Sequence, residues 1–296
     1  MTRSRPLPLS RLAGVAFLSL LVAFGQSARA EILVKSGEKV AFMGDSITAA
    51  GWGNAAGYVK LIVAGLAANG VQITPVPAGI SGHKSNDMLA RLDRDVLSKK
   101  PQWMTLNCGV NDVWHGKTGV PLDDAQAAAQ VYEKRGNEPD KGTYEKNITQ
   151  IVDQAQAAGV KVVLTTATVI QEDLAGADNK KLAPFNDFLR KLAKEKHLPL
   201  ADLNVTFQEK IKEANQPGKK VFTVDGVHMN TEGNKIMATG VLQAFGLDAA
   251  QIKKAEEAWV PLEALAAENA KKAAEAKAKA AAEKAAAAAG AAPTPK

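Results

Sequence analysis

Short apolar runs that alternate with longer stretches of helical period predict an α/β protein, with a parallel central sheet covered by helices on both faces. Two observations carry this reading. The β-branched and leucine run at residues 161–165 lacks polar alternation, which suits a strand buried on both sides. The stretches between the runs are long enough for the helical crossovers that parallel strands require.

In chain order, residues 40–43 read as the first strand and residues 58–68 as the helix after it. Residues 73–76 and 86–97 repeat the pair. Residues 104–106 form the third strand, separated by a polar insertion at 115–143 from a helix at 144–158. Strand 161–165, helix 179–197, strand 200–203 and helix 231–245 complete the alternation. The insertion, rich in Gly, Lys, Asp and Gln, is too long for a routine connection, and a lid and a plain surface insertion both fit it. In a sheet of this kind ligands sit outside the carboxyl ends of the strands, so the loops after strands are where chemistry is sought.

The ends of the chain read differently from its middle. Residues 1–30 have the form of an export signal: Arg3, Arg5 and Arg11 precede an apolar stretch at 12–24, and Ala28-Arg29-Ala30 is a small-x-small cleavage site. That stretch is shorter than the ~20 apolar residues a bilayer crossing needs, which favours cleavage near Ala30 over an uncleaved anchor. Export to the periplasm or the exterior is the corresponding expectation. Residues 31–255 are the globular domain, and residues 256–296 an Ala/Lys/Glu-rich tail, helical or disordered, whose methyl groups offer little to a core.

Part of the formal net charge of +6 belongs to the first thirty residues, and no block of five or six like charges occurs, so nothing speaks for a nucleic-acid partner. One cysteine, Cys108, excludes an intramolecular disulfide. Stability then rests on the core. Cys108 itself reads as a small core-facing residue at a strand end rather than a reactive thiol.

Four short motifs follow predicted strands or stand in the closing loop. Gly44-Asp45-Ser46 ends the first strand, where a glycine permits a sharp turn and Ser46 is well placed as a nucleophile, although Gly-Asp-Ser is also ordinary turn chemistry and serine a good helix N-cap. Gly79-Ile80-Ser81-Gly82-His83-Lys84 follows the second. Its glycines could turn backbone N–H groups toward a ligand, but a phosphate loop needs glycine directly before the lysine, and His83 stands there. Gly109-Val110-Asn111-Asp112 follows the third, with a side-chain amide at Asn111. Asp225-Gly226-Val227-His228 puts a carboxylate and an imidazole on one loop. Each alone is explained by a turn; together they converge on one end of the sheet.

This set, Gly44-Asp45-Ser46, Gly82, Gly109-x-Asn111-Asp112 and Asp225-x-x-His228, resembles the four signature blocks of the SGNH (GDSL) hydrolases, over about residues 38–245. The resemblance implies a three-layer α/β/α sandwich with a parallel central sheet, flavodoxin-like in arrangement, that hydrolyses esters without a cofactor or metal. It implies that Ser46 attacks the ester carbonyl, His228 acts as acid and base, and Asp225 orients the imidazole. The backbone N–H groups of Ser46 and Gly82 and the amide of Asn111 are the implied oxyanion donors, with Gly79 the alternative to Gly82. Thr48 stands where the Gly-x-Ser-x-Gly elbow of α/β hydrolases carries its last glycine, so the design is a different one.

Asp45, Asp112, Trp52 and Trp114, adjacent to the blocks, are candidates to line the substrate site. A metal site combining His83 and His115 with Asp45 and Asp112 lacks the Asp-x-His or His-x-His spacing of metallophosphoesterases. The leading expectation is an exported serine esterase acting on a small-molecule or polysaccharide ester, with O-deacetylation of carbohydrate as the specific form. Lipid or thioester hydrolysis fits the same residues, and a non-catalytic envelope or carbohydrate-binding protein, contacting the envelope through the tail, is the competing class.

Overall fold

A computed structural model of the chain describes residues 1–2, 31–133 and 140–290, with side chains as far as 284. Residues 3–30 of the expected export signal at 1–30 lie outside the described residues, as do residues 134–139 of the insertion at 115–143 and the last six residues of the tail. No helix among the described residues is long and apolar enough to cross a membrane.

The sheet has five strands in the order β2-β1-β3-β4-β5, all parallel: β1 Lys39–Gly44, β2 Thr74–Gly79, β3 Trp103–Asn107, β4 Lys161–Thr165 and β5 Leu200–Ala201. This is the doubly wound order, with the direction of winding reversing between β1 and β3. Every residue of β1 after Lys39, and all of β3, is buried, because helices cover both faces. On one side pack α2 (Tyr58–Ala68), α9 (Thr231–Ala244) and α10 (Ala249–Gly290); on the other, α3 (Ser85–Asp95), α6 (Tyr144–Ala157) and α7 (Ala177–Glu195). The three layers expected from the sequence are therefore present.

The edge strand β2 protects itself by its composition. Thr74 turns its N–H to Glu38 of the β1 side, so the alternating positions Pro75 and Pro77 face outward, where proline leaves no donor for another strand. At the opposite edge β5 is only two residues long, shorter than the expected 200–203. Asp202 ends it: the carboxylate caps α8 (Leu203–Ala214) through the N–H of Val205, and pairs with Arg190 at 2.7 Å.

The insertion contains α5 (Asp124–Ala129), capped by Asp123. A further difference concerns the tail. The core continues beyond residue 255. Trp259 is wholly buried, donates from Nε1 to the carbonyl of Leu61 at 2.8 Å, and packs with Ala255 over Gly65, where a side chain would collide. Leu262 and Ala266 extend the packing, and residues 267–284 are exposed.

Candidate active site

β1 delivers its last residues to the point where the winding reverses. Gly44 lacks a side chain because Thr48 needs the space: a Cβ there would lie 2.0 Å from Thr48 Oγ1, which bonds instead with Tyr58 Oη at 2.8 Å. Asp45, not Ser46, is the N-cap of α1 (Ser46–Gly53), accepting the N–H of Ile47. Ser46 is thus the first helical residue, a position whose N–H has no carbonyl one turn back to bond.

The loop between α8 and α9 meets Ser46 from the other end of the chain. His228 Nε2 lies 2.8 Å from Ser46 Oγ, across 182 residues of sequence, and His228 Nδ1 lies 2.6 Å from Asp225 Oδ2. The other oxygen, Asp225 Oδ1, accepts the N–H groups of Val227 and His228 at 2.9 and 2.8 Å. Partial burial raises the affinity of Asp225 for a proton, but the bonds from the His228 N–H, its imidazole and the Val227 N–H outweigh it and hold the carboxyl at about 2. A carboxylate fixed as an anion beside Nδ1 keeps the ring proton on that nitrogen and leaves Nε2 free to accept from the serine hydroxyl.

The expected donors lie on the two neighbouring loops. Gly82 is exposed in the loop after β2, at φ 78°, a backbone conformation that favours glycine. Asn111, on α4 (Val110–Trp114), donates from Nδ2 to the carbonyl of His83 at 3.1 Å, while its Oδ1 meets His115 Nε2 at 3.2 Å. The amide has a second N–H and its plane is fixed from both ends. Gly79 serves another purpose. It closes β2 against α1, where a Cβ would lie 2.3 Å from the N of Ala49.

Two expected lining residues are corrected by burial. Asp45 is 1% exposed and Asp112 2% exposed, so neither carboxylate faces a substrate crevice. Asp112 accepts the N–H and hydroxyl of Ser85 at 3.0 and 2.6 Å and the Cys108 thiol at 3.4 Å, which joins the loop after β3 to the start of α3. Burial pushes Asp112 and the Cys108 thiol upward, and Asp45 up to about 7. Trp52 and Trp114 are on the surface; Lys60 Nζ sits 5.7 Å from the Trp52 ring centroid, and Trp114 lies against His115.

Sequence reasoning missed Arg91. Its guanidinium is buried and donates to the carbonyls of Gly44 and Ala78, both at 2.9 Å, to Asp95, and to His83 Nδ1 at 3.0 Å. It thereby ties the ends of β1 and β2 to the Gly82 loop. On an amphipathic helix with Arg94 and Asp95 beside it, Arg91 carries no sequence signal of burial. Its bond also occupies His83 Nδ1, as Asn111 occupies His115 Nε2, so the two histidines and two buried acids considered for a metal are engaged elsewhere. No cluster of three or more His, Cys, Asp or Glu side chains among the described residues could hold a metal ion.

The arrangement of hydroxyl, imidazole and carboxylate is one that can activate an oxygen nucleophile against an acyl carbonyl. Comparison with known proteins points to ester hydrolysis. Residues 42–236 match the GDSL-like lipase/acylhydrolase family. An acetylxylan esterase from Geobacillus stearothermophilus is 26% identical over 227 residues, spanning 73% of this chain and 97% of the relative. The crystal structure of Axe2, an acetylxylan esterase from the same organism, is 26% identical and superposes with a TM-score of 0.59 over 73% of this chain and 97% of that one. The acetyl xylan esterase AlAXEase is 30% identical, with a TM-score of 0.56 over 70% of this chain and 98% of that one.

Proposed function

The chain belongs to the GDSL-like lipase/acylhydrolase family and is an ester-hydrolysing enzyme, and we propose that it is an exported serine esterase that removes O-acetyl groups from carbohydrate. The likeness to acetylxylan esterases over most of the chain supports the substrate. The observation that carries the mechanism is the unbroken path Ser46 Oγ, His228 Nε2, His228 Nδ1, Asp225 Oδ2, with contacts of 2.8 and 2.6 Å at its two ends.

In this mechanism the Ser46 oxygen attacks the acetyl carbonyl as its proton passes to His228 Nε2. The carbonyl π electrons move to oxygen, which the N–H groups of Ser46 and Gly82 and the Asn111 amide receive. Asp225 stabilises the imidazolium without taking its proton. Collapse expels the sugar hydroxyl, which leaves with the proton from His228, and Ser46 is left acetylated. Water, deprotonated by the same nitrogen, then repeats the sequence and releases acetate.

The export half of the proposal rests on the basic, apolar and small-residue order of residues 1–30. Amino-terminal sequencing of the protein recovered from its host tests it, with Glu31 as the expected first residue. The substrate half is tested by offering acetylated xylo-oligosaccharides and p-nitrophenyl acetate, butyrate and octanoate to the protein beginning at Glu31. Acetate release from the sugars, with acetate preferred among the aryl esters, is expected. A preference for octanoate with intact acetylated sugars would move the enzyme to lipid esters.

A further inference from the structure

Asp225 and His228 stand on a loop whose regular pairing is an isolated antiparallel bridge, Thr223 to Met229. Two such side chains must nevertheless hold a 2.6 Å contact. We propose that Glu172, from the loop after β4, is the positioning residue of the acid/base loop, clamping residues 221–223 so that Asp225 is presented to His228. The inference rests on the reading of Asp225 and His228 as the acid/base pair.

Glu172 is 8% exposed, and its carboxylate is fully engaged with this segment. Oε2 accepts the N–H of Val221 at 2.8 Å, and Oε1 accepts the N–H of Phe222 at 3.0 Å and the hydroxyl of Thr223 at 2.5 Å. That hydroxyl in turn accepts the N–H of Gly226, the residue after Asp225, at 3.1 Å. The carbonyl of Gly226 accepts the N–H of Gln171 at 2.7 Å. Both polar groups of Gly226 are therefore tied to the 171–172 corner, one directly and one through Thr223.

The corner itself is built to do this. Gln171 and Glu172 both have left-handed backbones, φ 63° and 53°, a conformation costly for residues with side chains and retained where surrounding contacts enforce it. Asn179 of α7 supplies such contacts, bonding the N–H of Ile170 and the carbonyls of Ile170 and Asp173. Gly226 has no side chain because the loop presses on the corner; a Cβ would lie 2.4 Å from Gln171 Oε1. A carboxylate suits the position because it accepts on both oxygens, whereas an amide would turn a donor toward one of the N–H groups. The other charged groups near the pair are Lys220, whose Nζ donates to the carbonyl of Asp225 at 2.9 Å, and Asp45, whose carboxyl His228 pulls downward.

The test compares Glu172→Ala and Glu172→Gln with wild type, His228→Ala and Ser46→Ala, following thermal melting, and kcat and KM for p-nitrophenyl acetate per folded molecule. Folded Glu172→Ala is expected to keep KM and lose ~10²-fold in kcat, the scale of a misplacement of about 1 Å. Glu172→Gln keeps one accepting oxygen and should lose less, again with KM unchanged. A folded Glu172→Ala variant with wild-type kcat, or one whose lost activity only tracks its unfolded fraction, overturns the proposal. If the Ala variant does not fold, a folded Gln variant with wild-type kcat overturns it. Activity in His228→Ala or Ser46→Ala would instead sink the acid/base reading; inactivity there with wild-type Glu172 variants sinks only the positioning role.

Discussion

The carboxylate of Asp45 accepts the N–H of Ile47 at 2.9 Å and so closes the first turn of α1 around Ser46. Burial, aided by the Asp112 charge, pushes this carboxyl up to about 7 against the opposing pull of the Ile47 bond and His228. An unfolded Asp titrates near 3.8. Between those values the native state holds a proton that the unfolded state has released, so this contribution to stability is complete below about 4 and is lost as pH rises to about 7. His83, lowered by burial and Arg91, slopes the other way, which makes the difference between variants the useful quantity. Asp45→Asn keeps a good cap and cannot titrate. Its melting temperature should fall less than that of wild type between about pH 4 and pH 8; parallel curves would remove Asp45 as the source.

Asn111 is held by His83 and His115 in an orientation that leaves one amide proton unspent. Asn111→Ala is expected to lower kcat by ~10²- to 10³-fold with KM little altered, as loss of one oxyanion donor does. Cooperative melting verifies the fold. Unchanged turnover in a folded variant would take Asn111 out of the oxyanion hole.

Trp259 makes the first turns of α10 part of the core. Truncation after residue 270 should leave the denaturant midpoint where it is, because residues 267–284 are exposed. Truncation after residue 255 should cost about 3–5 kcal/mol, the range for emptying a buried tryptophan site. Equal midpoints would place Trp259 outside the cooperative unit.

The parallel sheet and its helices were readable because β1 and β4, buried on both faces, carry uninterrupted apolar runs, and the stretches between the runs are of helical length. The blocks containing Ser46, Gly82, Asn111 and Asp225/His228 were readable because each follows a strand or closes the fold. Burial of polar groups was not. Asp45 and Asp112 look like crevice residues in sequence and are internal hydrogen-bond acceptors in the fold, while Arg91 and Glu172 look like surface charges and hold the loops that carry the site. Such roles depend on partners distant along the chain. The reach of the core into α10 was hidden for a different reason, since one tryptophan precedes a long Ala/Lys/Glu run and the average composition conceals it.

The assignment of Ser46 as nucleophile is tested by hydrolysis of p-nitrophenyl acetate by the protein beginning at Glu31 beside its Ser46→Ala variant, with melting curves to show that both are folded. Loss of ~10³-fold or more in kcat/KM is the predicted result. A folded Ser46→Ala variant that hydrolyses the ester at the wild-type rate would contradict it, and with it the path from Ser46 through His228 to Asp225.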